Sequence, residues 1–142
     1  MRRGASLAEL TVVLAIVAAV TALGLPRLGG LLDWIAVDAA AREVSTAIAV
    51  ARSAAIMRGT RARAVIAADS LRLDRWDGAA WRPFERWPGP GARGVALEVS
   101  NPVVAFDPIG IGWGAANTRV VLRRGAKTAT LTVSRVGRVK RW

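Results

Sequence analysis

Glu9 is the only carboxylate in an apolar run that stretches from Ala5 to Leu25. A charge in such a run is costly in hydrocarbon, and where one is kept it has a partner and a task. No basic side chain lies within Ala5–Leu25 to serve as that partner. Cutting the chain after Gly4 would create one. The new amine of Ala5 would lie at the depth of Glu9 and could meet the carboxylate of an adjoining copy in a low-dielectric setting. The chemistry on offer is a register-setting ion pair between stacked helices, not catalysis.

A second candidate lies at the other end, in Gly137-Arg138-Val139-Lys140-Arg141-Trp142. On a strand Arg138 and Lys140 share a face, because side chains alternate. Arg141 and Trp142 then extend from the terminus. Two cations beside an aromatic could hold phosphates and stack on a base. The plainer reading is a structural turn at Gly137 with solvated basic residues and Trp142 covering apolar sheet surface.

Other constellations are weaker. Gly110-Ile111-Gly112-Trp113-Gly114-Ala115 satisfies a loose nucleotide-binding pattern, but a strand comes after it where a phosphate site needs a helix N-terminus. It reads as a flexible loop. Asp69, Asp74 and Asp77 surround one hairpin and read as turn residues. With no histidine and no cysteine, imidazole and thiolate metal sites are excluded, disulfides are excluded, and no serine has a histidine base. No catalytic residue, metal site or cofactor is expected.

The elements that must position Glu9 and the C-terminus are set by periodicity. As a helix, Ala5–Leu25 spans about 30 Å at ~1.5 Å per residue, the thickness of a bilayer core. Arg2 and Arg3 precede it and keep the N-terminus cytoplasmic; the chain beyond Pro26 is delivered outside. An ordinary signal peptide cut after Val20-Thr21-Ala22 is the alternative. Glu9 inside the apolar region and the helical pattern beyond Ala22 argue against it. Pro26 is expected to bend or break the helix, with Gly24, Gly29 and Gly30 loosening it nearby. From an N-cap at Asp33 the period resumes in Trp34, Val37, Ala41, Val44, Ile48, Ala51 and Ala55, and Gly59 stops it.

Beyond Gly59 the period is that of strands. They are expected at 61–67, 71–76, 80–84, 95–99, 103–106, 119–122 and 128–133, with a short terminal one in 136–141. Asp77-Gly78 signals a hairpin and Pro88-Gly89-Pro90-Gly91 a rigid loop. One long helix and then runs of strands give an α+β fold, the helix laid across antiparallel sheets. The 142 residues carry a net charge of +11. No acidic side chain occurs after Asp107, whereas Arg119, Arg123, Arg124, Lys127, Arg135, Arg138, Lys140 and Arg141 are basic. Such a one-sign field favours nucleic acid, anionic lipid or an acidic partner.

The N-terminal pattern of basic leader, Gly4, Glu9 five residues on and an apolar helix resembles the type IV pilin and type II secretion pseudopilin family. Four outer segments narrow this to its GspH/FimT branch: Ala51–Gly59, Trp76–Trp81, Phe106–Gly110 and Val133–Lys140. The resemblance implies a pilin-like fold. Residues 1–4 would be a leader, 5–25 a transmembrane helix, 26–59 the kink and an amphipathic periplasmic helix, and 60–142 a β-rich globular region. It further implies cleavage between Gly4 and Ala5 by a prepilin peptidase, N-methylation of Ala5, an assembly role for Glu9 and a helix kink at Pro26. Ala5 stands where the family usually has phenylalanine, and Ala8 where it has isoleucine. The implied location is the bacterial inner membrane, single-pass, with the C-terminal domain in the periplasm. The implied partners are other pseudopilins or minor pilins, the peptidase/methyltransferase and membrane lipid. Two functions stay open. One is a minor pseudopilin at or near the tip of a type II secretion pseudopilus. The other is a FimT-like minor pilin that binds DNA through its basic C-terminus. In the FimT branch a C-terminal Gly-Arg-x-Arg motif is linked to DNA binding; Gly137 and Arg138 match it, and Lys140 replaces the second arginine.

Overall fold

The computed structural model describes residues 6–114 and 117–142, with residues 25–28 described by their backbone alone. It contains two compact units, Met1–Leu32 and Asp33–Trp142. A helix, α1, runs from Leu7 to Arg58. Ser6 opens it, its carbonyl and Oγ accepting the Glu9 N–H at 3.0 and 3.3 Å.

In the first unit the helix carries its apolar residues outward. Leu7, Leu10, Val12, Val13, Leu14, Ile16, Val17, Val20 and Leu23 are each more than half exposed. The most apolar 18-residue window has a mean hydropathy of 2.2 and buries none of its residues, so this helix is long and apolar enough to cross a membrane. Its hydroxyls are satisfied internally: Thr11 Oγ1 donates to the Ala8 carbonyl at 2.8 Å and Thr21 Oγ1 to the Val17 carbonyl at 2.7 Å. The helix runs through Pro26 without a break, from Leu7 to Arg58. A proline removes one intrahelical bond, and flanking turns in register can carry the helix past it.

In the second unit the same helix covers a core. Ala36, Val37, Ala40, Ala41, Val44, Ala47, Ile48, Ala51 and Ala55 are buried on it. The stripe is wider than the expected one and richer in alanine. Trp34, assigned to the stripe from its spacing, is instead half exposed. Asp33 is not an N-cap either, because the helix passes through it. The stop at Gly59 is as expected. Gly59 has φ 61°, its N–H bonds the Ile56 carbonyl at 3.3 Å, and the Thr60 N–H bonds the Ala55 carbonyl at 3.2 Å. These are the two bonds of a Schellman cap.

The strands form two antiparallel sheets. The first has the order β3-β2-β1-β5-β6, from β1 (Ala62–Ile66), β2 (Ser70–Trp76), β3 (Trp81–Pro88), β5 (Val103–Phe106) and β6 (Gly112–Trp113). The second has the order β4-β7-β8-β9, from β4 (Ala96–Val99), β7 (Thr118–Arg124), β8 (Lys127–Val133) and β9 (Val139–Arg141). Alternate residues of both sheets, among them Ala64, Ile66, Leu71, Leu73, Phe106, Val120, Leu122 and Leu131, join the helix stripe in a single core.

Two differences from the expected strands have physical causes. β3 continues to Pro88, past Phe84, because it is an edge strand whose prolines need not donate to a neighbour. Gly112 and Trp113, expected in a loop, pair with Phe106 and Ala105 as β6. The Pro88–Gly91 corner is closely packed. A Cβ on Gly89 would lie 2.5 Å from the Ala68 carbonyl oxygen, and the Gly91 N–H bonds that carbonyl at 2.7 Å.

All three acids of the helix in this unit, spaced five residues apart, face arginines of the second sheet and its loops. Asp33 pairs with Arg124 at 2.9 Å, Asp38 with Arg141 at 2.6 Å, and Glu43 with Arg93. The Arg141 hydrogen bond, aided by charge from Arg141 and Arg42, holds the Asp38 carboxyl below its ordinary value of 3.8 against a smaller opposing effect of burial. A carboxylate whose folded pKa is depressed contributes stability above its unfolded pKa and loses it as pH falls through the folded one. Asp38→Asn should therefore be less stable than the parent at pH 7, with the gap closing below about pH 4. Urea midpoints across pH 2–7 check this. A gap that stays constant would show that Asp38 acts by packing and not by charge.

Candidate functional site

Of the residues singled out at the N-terminus, Gly4 and Ala5 lie outside the described residues. Glu9 sits in the first turn of α1, on an exposed and otherwise apolar surface. Pro26 lies within the helix, and its side chain is not described.

The C-terminal candidates are divided by the sheet. β9 pairs with β8 in the register Val139–Val133, Lys140–Thr132 and Arg141–Leu131. The last residue is still tied to the sheet: the Trp142 N–H bonds the Thr130 carbonyl at 3.0 Å, and the Thr130 N–H bonds that of Trp142 at 3.4 Å. Arg138 and Lys140 face one side of this sheet, where they line a groove of about 390 Å³ with Arg119, Thr132 and Ser134. Arg141 has the other parity and turns to the helix, to Asp38. It does not join the other two cations. Lys140 Nζ lies 3.6 Å from the Trp142 ring centroid, a cation–π contact. Trp142 is largely exposed, so it covers this lysine and not apolar sheet. The cation that completes the face is Arg119, which lies in one row with Thr132 and Lys140. It was missed because it is 19 residues before Arg138, and only strand pairing brings the two together.

Three of the four outer motifs converge on Arg52, a partly buried residue near the end of α1. Its Nε donates to the Gly110 carbonyl at 2.9 Å. Asp107 shapes that turn, its Oδ1 accepting the N–H groups of Ile109 at 3.1 Å and Ile111 at 2.8 Å. Gly110 has φ 81°, and a Cβ there would lie 2.7 Å from Ile56 Cδ1. Gly137 has φ 73°, and a Cβ there would meet Arg52 Cδ and Nε and Phe106 Cε1, each at 3.0 Å. The Gly112 N–H bonds the Arg135 carbonyl at 2.7 Å, joining the two turns. Gly137 is thus required by its backbone and by the arginine packed against it. The family resemblance marked these motifs without showing that they touch.

The fourth motif is the β2–β3 hairpin. Asp77 Oδ1 accepts the N–H groups of Ala79 at 2.9 Å and Ala80 at 2.7 Å, and Oδ2 pairs with Arg82 at 2.8 Å. Arg82 first, then the two N–H groups, hold the Asp77 carboxyl far below the usual range. Asp77 is the turn residue expected. Asp74 is not: it is 1% exposed within β2, at a register shift, between Arg63 at 2.8 Å and Arg72 at 3.0 Å.

Gly137→Ala should cost about 1–3 kcal/mol, for a left-handed alanine crowded by Arg52 and Phe106. Gly78→Ala also has positive φ but nothing within 4 Å of its added Cβ. The excess loss at Gly137 over Gly78, measured by denaturant unfolding, reports the Arg52 packing. Equal losses would show that this packing contributes nothing.

Comparison with known proteins agrees with this geometry. The family described as "Type II transport protein GspH" matches residues 40–137, well over half of the chain and within the second compact unit. No curated protein matches at a significant level. Among solved structures, the type IV minor pilin FimU of Pseudomonas aeruginosa superposes with a TM-score of 0.63 at 16% identity, over 73% of this chain and 86% of FimU. The minor pseudopilin EpsH from the Type 2 Secretion System of Vibrio cholerae superposes with a TM-score of 0.60 at 10% identity, over 75% of this chain and 95% of EpsH. The long N-terminal helix on antiparallel sheets is the fold that these share. With residues 40–137 matched by the family and the fold shared with these structures, the chain belongs to the GspH family of pilin-like structural subunits, minor pseudopilins and minor pilins.

Proposed function

We propose that the chain is a minor pseudopilin of a type II secretion system. It is cleaved by a prepilin peptidase between Gly4 and Ala5, methylated on Ala5, and held by residues 5–25 in the bacterial inner membrane with the rest in the periplasm. It then joins the pseudopilus at or near its tip. The observation that carries this reading is the match of residues 40–137 to a family described by type II transport. It is supported by an apolar helix half whose large side chains, among the described residues, are exposed. Neighbouring helices of a filament, like lipid, would cover that surface. Within it Glu9 pairs with the Ala5 amine of an adjoining subunit, and the pair fixes axial register.

The alternative, a FimT-like minor pilin that takes up DNA, has one observation in its favour: Arg119, Arg138 and Lys140 line one groove. Against it, Arg141 is committed to Asp38, and Lys140 is partly satisfied by Trp142. Binding of short DNA at two salt concentrations separates the readings. Three phosphate contacts would give a slope of ~2–3 log units of affinity per log unit of salt, lost on replacing the three residues by alanine. The structural reading expects no such mutation-sensitive slope.

Two outcomes test the main proposal. Co-expression with a prepilin peptidase should remove Met1–Gly4, as read by intact mass; cleavage after Ala22 would contradict it. Glu9→Ala should leave the precursor inserted and folded yet lower its incorporation into pseudopili by about tenfold or more, since breaking a buried pair is strongly destabilising. Normal incorporation would remove the pairing role.

A further inference from the structure

The outer face of the first sheet carries two guanidinium–indole stacks that neither the fold nor the groove on the second sheet uses. Arg63 Cζ lies 4.4 Å from the Trp81 ring centroid, and Arg61 Cζ lies 4.2 Å from that of Trp113. Trp81 is braced edge-on by Trp76, with centroids 5.5 Å apart. Strand register puts Asp74, Arg63, Ala105 and Trp113 in one row across β2, β1, β5 and β6. A depression of about 240 Å³ is walled by Arg63 and Trp81 of the first stack, by Trp113 of the second and by Asn101.

Asp74 explains why Arg63 is held there. This carboxylate is 1% exposed, and its Oδ2 accepts Arg63 Nε at 2.8 Å. Its Oδ1 has Arg72 Nε at 3.0 Å but accepts no hydrogen bond among the described residues. A buried acid is tolerated when it is paired, and this one fixes the guanidinium plane of Arg63 through one nitrogen. The two terminal nitrogens of Arg63 make no hydrogen bond to described residues, and Arg61 has no acidic partner among them. Asn101 Oδ1 accepts the Val103 N–H at 3.2 Å, which leaves its amide NH₂ to donate. Among the described residues, every free side-chain group that walls this depression is therefore a donor, and Arg63 is a cationic fork suited to a planar oxyanion. Arg61, stacked on the Trp113 that walls it, is a second fork nearby.

We propose that this depression is a docking site for an acidic side chain on a protein partner, whose carboxylate is held by Arg63 with Asn101, while Arg61, stacked on Trp113, adds a second positive charge. Nucleic acid fits less well. Each indole already has a guanidinium over one face, so the stacking surface a base would use is partly taken. The volume lies below the ~300–1,000 Å³ of pockets that enclose a small molecule, as suits one protruding side chain. The site is independent of which machine the subunit serves and of the Glu9 pair.

The test uses the full chain in detergent micelles, labelled for tryptophan indole NMR. Capped tri-glutamate should shift the Trp81 and Trp113 indole signals saturably, and capped tri-glutamine at equal ionic strength should not. Arg61→Gln, which breaks no ion pair among the described residues, should weaken tri-glutamate binding by roughly tenfold or more. Arg138→Gln, on the other sheet, should leave it unchanged. Asp74→Asn should also weaken it, by releasing Arg63. Four results would overturn the proposal: no saturable shift, an equal response to tri-glutamine, unchanged affinity in Arg61→Gln, or tighter binding of a short oligonucleotide than of tri-glutamate at these two indoles.

Discussion

Alanine at positions 36, 40, 41, 47, 51 and 55 keeps the side chains short on the buried face of α1, where both sheets share its core. Close packing of that kind penalises even one added methylene, so the helix has little freedom to rotate or slide. The polar contacts depend on this seating. Asp33, Asp38 and Glu43 reach Arg124, Arg141 and Arg93 only while the alanine face is down. Farther along, Arg52 reaches the Gly110 turn from the same face. Ion pairs at the surface are individually weak, and here they follow the packing more than they cause it.

That dependence explains why the C-terminus differs from a basic tail. Its sequence is one-signed, and charge alone would suggest a solvated cationic strand. The register of β9 on β8 decides otherwise, because alternation sends Arg141 to the helix while Arg138 and Lys140 face the opposite side. Gly137 makes the register possible by turning the chain against Arg52 and Phe106. The same glycine that resembles part of a DNA-binding motif is thus needed by the fold before any ligand is considered.

The sequence carried much of this in local signals. The apolar run, the stop at Gly59, the Asp77-Gly78 hairpin and the strand 103–106 are read from periodicity and turn chemistry, and each lies where expected. Pro88 misled, because a proline lowers the odds of a strand without forbidding it on a sheet edge. What sequence could not carry was contact between distant segments. Arg119 beside Lys140, Arg52 between two glycine turns, and buried Asp74 beneath Arg63 all arise from strand pairing or helix seating. None has a spacing that marks it.

The helix, through its packed face and Arg52, makes the last strand an integral part of the fold. Hydrogen exchange at the amide of Trp142 tests this most directly. That N–H bonds the Thr130 carbonyl at 3.0 Å and is the final amide of the chain. The account predicts slowing well beyond the intrinsic rate, and a sharp loss of that protection in Asp38→Asn and Gly137→Ala. Exchange at the intrinsic rate in the parent protein would mean that the C-terminus is a free basic tail, and would contradict it.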